Sequence, residues 1–121
     1  MRLFFLFFLF VTLGFSQSKV NEAKKLIAEK SFSKAENVLE IEIKKSPNDT
    51  EVIELLGDAY GHQKKWDDAI VQYERLTKIN SNNANYFYKY GGALGMKALS
   101  ISKISALGII GDVKDAFLKA A

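Results

Sequence analysis

The pair Phe32 and Ala35 recurs as Trp66 and Ala69, 34 residues further along the chain. The same offset carries Lys30 to Lys64, Lys44 to Lys78 and Asn48 to Asn82. One period later it carries Ile53 to Phe87 and Leu56-Gly57 to Tyr90-Gly91. A period of ~34 residues holds two helices and their turns, and one such hairpin cannot bury its apolar side alone. The chain is therefore constrained to stack hairpins, with each unit stabilised by its neighbours.

Apolar positions inside each period follow helical spacing. Ala23, Leu26 and Ile27 mark a first helix, and Ala35, Val38, Leu39 and Ile43 a second. Ile53, Leu55, Leu56 and Tyr60 mark a third, and Trp66, Ala69, Ile70, Tyr73 and Leu76 a fourth. The spacing predicts helices over about 19–30, 33–46, 50–63, 66–79 and 84–97. Ser33-Lys34-Ala35-Glu36 reads as a capping box for the second helix. Pro47, the only proline, ends the first period, and Asn48 or Asp49 is placed to cap the third helix. Asp67 and Asp68 fall in the first turn of the fourth, where negative charge suits the helix dipole. Residues 99–111 depart from the period, and a last helix is expected from about Asp112.

The N-terminus has a different character. Met1-Arg2 precedes an unbroken apolar run, Leu3 to Val11, and Gly14-Phe15-Ser16 follows. That order is the signature of a secretory signal peptide, with cleavage expected after Ser16. The run is too short for the ~20 residues that cross a bilayer. Residues 1–16 are therefore set apart from a domain over 17–121, in repeats of about 17–49, 50–83 and 84–121 with an insertion near 99–111. The chain has no cysteine, which excludes disulfides, thiolate-ligated zinc, thiol catalysis and a lipidated N-terminal cysteine. Charges number 17 basic and 14 acidic. Without Arg2 these become 16 and 14, a net of +2. They are interspersed, with no basic stripe of the kind that binds nucleic acid.

The second period carries most of a family pattern. Leu56-Gly57-x-x-Tyr60 on its first helix and Trp66-x-x-Ala69-x-x-x-Tyr73 on its second resemble the tetratricopeptide (TPR) repeat. The first unit keeps Phe32, Ala35, Leu39 and Pro47, with Glu22-Ala23 where the family has Leu-Gly. The third keeps Tyr90-Gly91 and is then interrupted by about ten residues, judged against the ~34-residue period. Residues 86–121 are also similar to a region of exported bacterial TPR proteins in which further repeats follow. The resemblance implies an all-α, right-handed superhelix of antiparallel helix pairs. It also implies that first-helix residues line a concave, ligand-binding groove. If the array stops at Ala121, its last face is expected to need a partner or a second copy.

Candidate binding residues come from that groove. Glu54, Asp58 and His62 are each four apart and share a helix face, with Glu51 one turn earlier. Tyr88 is the groove position of the third unit. A metal there would need a tighter ligand set, so no metal is expected. The Lys/Asn clamp with which some family members hold a C-terminal carboxylate is missing in the second unit, which suits a basic or mixed ligand better. Gly91-Gly92-Ala93-Leu94-Gly95 lacks the order of a phosphate loop and reads as close helix packing. Trp66, Tyr86, Phe87, Tyr88 and Tyr90 read as inter-repeat core. The stretch Ser100–Gly111 reads as a loop or extended helix that covers the chain's own end, with a hydrophobic docking arm as the alternative.

No nucleophile–base set, H-E-x-x-H or paired-carboxylate pocket is evident. The expectation is a non-catalytic scaffold without cofactor that binds a peptide or helix of a partner protein in the periplasm. The alternatives are a module that self-associates through its C-terminal end, or a membrane-tethered envelope factor if the apolar segment is retained.

Overall fold

A computed structural model of the protein describes residues 17–101 and 103–121. The export segment expected over 1–16 lies outside the described residues. Within them the chain is an all-α solenoid of six helices in antiparallel pairs. They are α1 (17–28), α2 (Phe32–Lys45), α3 (Thr50–His62), α4 (Trp66–Ile79), α5 (Ala84–Ser100) and α6 (Lys103–Ala120). Successive helices from α2 onward pack on one another.

The repeated lysines mark the turn inside each of the first two hairpins. Lys30 and Lys64 both take left-handed backbone, with φ of 61° and 62°. Ser31 N–H donates to the Leu26 carbonyl at 2.8 Å, and Lys65 N–H to the Tyr60 carbonyl at 3.0 Å. Lys30 and Lys64 N–H also donate to the Ile27 and Gly61 carbonyls. Both turns are thus Schellman caps, which usually carry glycine at the left-handed position. One period on, position 98 is alanine, the best helix former, and α5 runs through it to Ser100.

The turns between hairpins are capped by side chains. Asp49 accepts from the Glu51 and Val52 N–H groups, and Asn83 from Tyr86 N–H. Arg75 donates back to the Pro47 carbonyl and pins the α2–α3 turn. The capping box expected at Ser33 and Glu36 does not form. Ser31 holds the cap position without a side-chain bond. Glu36 is buried and takes Lys65 Nζ at 2.8 and 3.1 Å instead. A charge-assisted bond to the next hairpin outcompetes a local bond to one backbone N–H.

Two apolar clusters hold the stack. Val20 and Ala23 of α1 meet Ala35 and Leu39 of α2 and Val52, Leu56 and Ala59 of α3. Ile53, Ala69, Tyr73, Leu76 and Ala93 join α3, α4 and α5. Small residues set the approach. A Cβ at Gly57 would lie 2.5 Å from the Tyr73 ring, so only glycine lets α4 seat against α3 there.

The last hairpin repeats this contact in a stretched form. A Cβ at Gly91 would lie 3.0 Å from the Phe117 ring and 3.1 Å from Ala116 Cβ. Gly57 to Tyr73 spans 16 positions (73 − 57), and Gly91 to Phe117 spans 26 (117 − 91). The ten extra residues neither form an arm nor wait for a helix at Asp112. They lengthen both helices: α5 has 17 residues against 13 in α3, and α6 has 18 against 14 in α4. Without a left-handed residue at 98 nothing stops α5 on schedule. Of the glycines in α5, Gly91 alone is needed for close packing, since Gly92 meets nothing and Gly95 makes an ordinary 3.9 Å contact.

Candidate functional site

The groove residues of α3 are matched from within the protein. Glu51 pairs with Lys24 of α1. Glu54 and Asp58 lie one turn apart on α3 and both take Lys89 from α5. The Nζ atom is 3.1 Å from Glu54 Oε1, and 2.9 and 3.0 Å from the two Asp58 oxygens. Tyr73 of α4 donates its hydroxyl to Asp58 Oδ1 at 2.6 Å. One cation and one phenol therefore tie three helices to two carboxylates. Burial alone would lower the Lys89 pKa, but hydrogen bonds and charge from Asp58 and Glu54 raise it above its usual value. The Tyr73 hydroxyl is pushed far up, first by burial and then by the Asp58 charge. The acidic face that suited a basic ligand is already occupied by a lysine of the chain.

His62 faces a different neighbour. Its ring stacks on Phe32 of α2, with centroids 4.3 Å apart and planes 5° from parallel. Among the described residues no group of three or more His, Asp or Glu side chains is arranged to hold a metal ion.

Tyr88 is the open member of the set. It is 65% exposed, and its ring lies tilted beside Phe117 with centroids 6.3 Å apart. The rest of the aromatic group is core or half-buried, as the helical spacing implies, so Tyr88 is the exception. The 34-residue offset maps Glu54, Asp58 and His62 onto Tyr88, Gly92 and Met96. Gly92 has open space where a side chain would be, and Met96 is exposed. The same helix face thus changes from charged and internally paired on α3 to apolar and open on α5. Gly92 and Met96 were not picked out by reading residues singly, although the repeat offset points to both. Lys89 carried no signal in sequence, because its partners are brought to it only by stacking.

Two further contacts latch the hairpins. Tyr60 donates to Glu40 at 2.8 Å, and Tyr90 to Glu74 at 3.3 Å. The acceptors are one period apart, while the tyrosines sit at different positions of their helices. Burial and then the facing glutamate push both phenols up. At the stretched end of α5, Lys97 pairs with Asp67 at 2.5 Å. A shallow cleft of about 280 Å³ lies beside them, lined in part by Trp66, Ser100 and Ile101.

Residues 57–97 match a family model described as TPR repeat. The match begins within α3, takes in all of α4 and ends within α5. None of the curated proteins matches the chain. No described helix is long and apolar enough to cross a membrane.

Proposed function

We propose that the protein is a non-catalytic scaffold whose concave face takes an extended peptide or a helix from a partner protein. TPR-like helical repeats generally serve as protein-interaction scaffolds, and the open stripe Tyr88–Gly92–Met96 carries this reading here. Tyrosine and methionine are anchors that binding surfaces favour, and the glycine between them leaves room for a close approach. The flanking carboxylates are already paired, so the ligand is anchored chiefly by apolar contact and need not bring a strongly basic segment. The signal-like segment at 1–16 supports an exported, periplasmic scaffold, and an intact mass beginning at Gln17 is the result that reading requires.

The test is a photo-crosslinking amino acid placed at Tyr88 in cells that express the full chain. The expected result is a discrete adduct with another protein. The same probe at Val71, exposed on α4, is expected to give none. Absence of a Tyr88 adduct, or identical adducts from both sites, would sink the reading.

A further inference from the structure

Sulfur is scarce in this protein. The chain has no cysteine and two methionines, of which Met1 lies outside the described residues. Met96 therefore carries the only sulfur of residues 17–121, and it falls on the open stripe of α5. It is 43% exposed. It belongs to neither of the apolar clusters that hold the stack.

Its neighbours along the helix leave the thioether uncovered. A long helical side chain leans over the turn N-terminal to its own Cα. For Met96 that turn holds Gly92, four residues back, and Gly95, directly before it. A Cβ at Gly92 would meet nothing within 4 Å, and one at Gly95 only Val113 at an ordinary 3.9 Å. On the C-terminal side, Leu99 and Ser100 are both exposed. A small oxidant in solution thus reaches the sulfur without any movement of the fold.

We infer that Met96 is a reversible oxidation switch for the groove, an inference that rests on the peptide-binding reading given above. Hydrogen peroxide transfers one oxygen atom to the Met96 Sδ lone pair. The S–O bond forms, the O–O bond breaks and water leaves, so the sulfur loses two electrons and the peroxide gains them. The product is a sulfoxide, polar and chiral where the thioether was apolar and flexible. The chain holds no thiol to reverse the step. A methionine sulfoxide reductase reverses it from outside, its two thiols closing to a disulfide as the oxygen leaves as water.

The consequence falls on binding and spares the core. An apolar ligand group seated on oxidised Met96 faces a strong acceptor and offers it no donor. The two lysines of α5 are already paired, Lys89 with Glu54 and Asp58, and Lys97 with Asp67. Losing the burial of one methionine side chain corresponds to a loss of ~tenfold or more in affinity.

The test adds a brief hydrogen peroxide pulse to the Tyr88 photo-crosslinking experiment on the full chain. Peptide mapping should place one added oxygen on Met96, with helical circular dichroism of the purified protein unchanged. The reductase with dithiothreitol should return the purified chain to its parent mass. The Tyr88 adduct should fall ~tenfold after the pulse. Met96→Leu, apolar and without sulfur, should keep its adduct through the same pulse, which sets aside oxidation of the partner. Met96→Gln, polar at similar length, should lose the adduct with no peroxide at all. An adduct that persists on the oxidised, folded chain or in Met96→Gln overturns the inference and leaves the groove reading standing. So does a Met96→Leu adduct lost as readily as the parent's, or a loss of helix on oxidation. Absence of any adduct before the pulse overturns the groove reading itself, and the switch with it.

Discussion

The α3–α4 and α5–α6 hairpins share one contact, a glycine on the first helix against an aromatic ring on the second, and diverge in nearly everything around it. The α3–α4 hairpin is covered on both sides. Its glycine meets a buried tyrosine whose hydroxyl is bound to Asp58, and its outward carboxylates are matched by the next helix. The α5–α6 hairpin is about one turn longer in each helix, and its ring, Phe117, is 40% exposed. Covering a repeat therefore takes polar latches as well as apolar fit. Where the latches are absent, the same backbone geometry leaves apolar side chains open to solvent.

The sharpest way to break the comparison is to place the same methyl group in both hairpins. Gly57→Ala forces the Cβ into a ring fixed by packing and by its bond to Asp58. We expect a loss of about 2–3 kcal/mol in denaturant unfolding, in the upper part of the overpacking range. Gly91→Ala should cost less, ~1 kcal/mol, because the half-exposed Phe117 ring has room to yield and helical alanine recovers part of the loss, leaving the fixed Ala116 Cβ at 3.1 Å as the main obstacle. Equal costs would mean that the two contacts are equivalent and that exposure of the ring does not matter.

The second effect belongs to the latch. Lys89→Met leaves Glu54 and Asp58 half-buried without their cation, with only the Tyr73 hydroxyl still bound to Asp58, and we expect a cost of about 1–2 kcal/mol. The figure falls short of that for a fully buried pair because about a quarter of the Lys89 side chain reaches solvent. The pH dependence has a definite sign. A lysine whose pKa is raised on folding contributes in full below its ordinary value of 10.5 and loses the contribution as pH climbs through the raised value. The elevated Tyr73 phenol acts in the same direction above its ordinary value of 10.0. Stability should therefore fall from about pH 10 upward, and less steeply in Lys89→Met. A variant that matches the parent at both pH 8 and pH 11 would show that the latch is idle.

The smallest effect differs between the hairpins in sign. Lys64→Gly relieves a left-handed lysine and should stabilise the protein by ~0.5–1 kcal/mol. Ala98→Gly, at the matching position of α5, lies inside a helix and should destabilise it by ~1 kcal/mol. Thermal melts of the two variants shifting the same way would contradict the account of why α5 overruns its period.

Much of this architecture was legible in the residues. The recurrence of Phe32/Ala35 as Trp66/Ala69 gave the hairpin, and helical spacing placed α2 to α4 within a residue or so. The Asp49 cap followed from a proline beside a short polar side chain. The course of 99–111 was not legible, because a departure from period does not say whether extra residues loop out or lengthen helices. The deciding fact is that alanine replaces a turn lysine at 98. The groove was half legible. Glu54 and Asp58 lie together on the expected face, but their counter-charge comes from Lys89, 31 positions beyond Asp58. Only stacking brings such distant residues together, and local patterns carry no trace of it. The Ser33–Glu36 box failed for the same reason, since a distant lysine claimed the glutamate.

The cleft where the end of α5 meets the start of α4 also has an optical consequence. Trp66 is the only tryptophan in the chain, and it sits beside the Lys97–Asp67 pair that holds the overrunning turn of α5. Its emission therefore reports on one place alone. A red shift that precedes the loss of helical circular dichroism marks local detachment of the last hairpin, whereas one that coincides with that loss marks unfolding of the whole array. The protein thus carries its own gauge of how firmly its most divergent hairpin is seated.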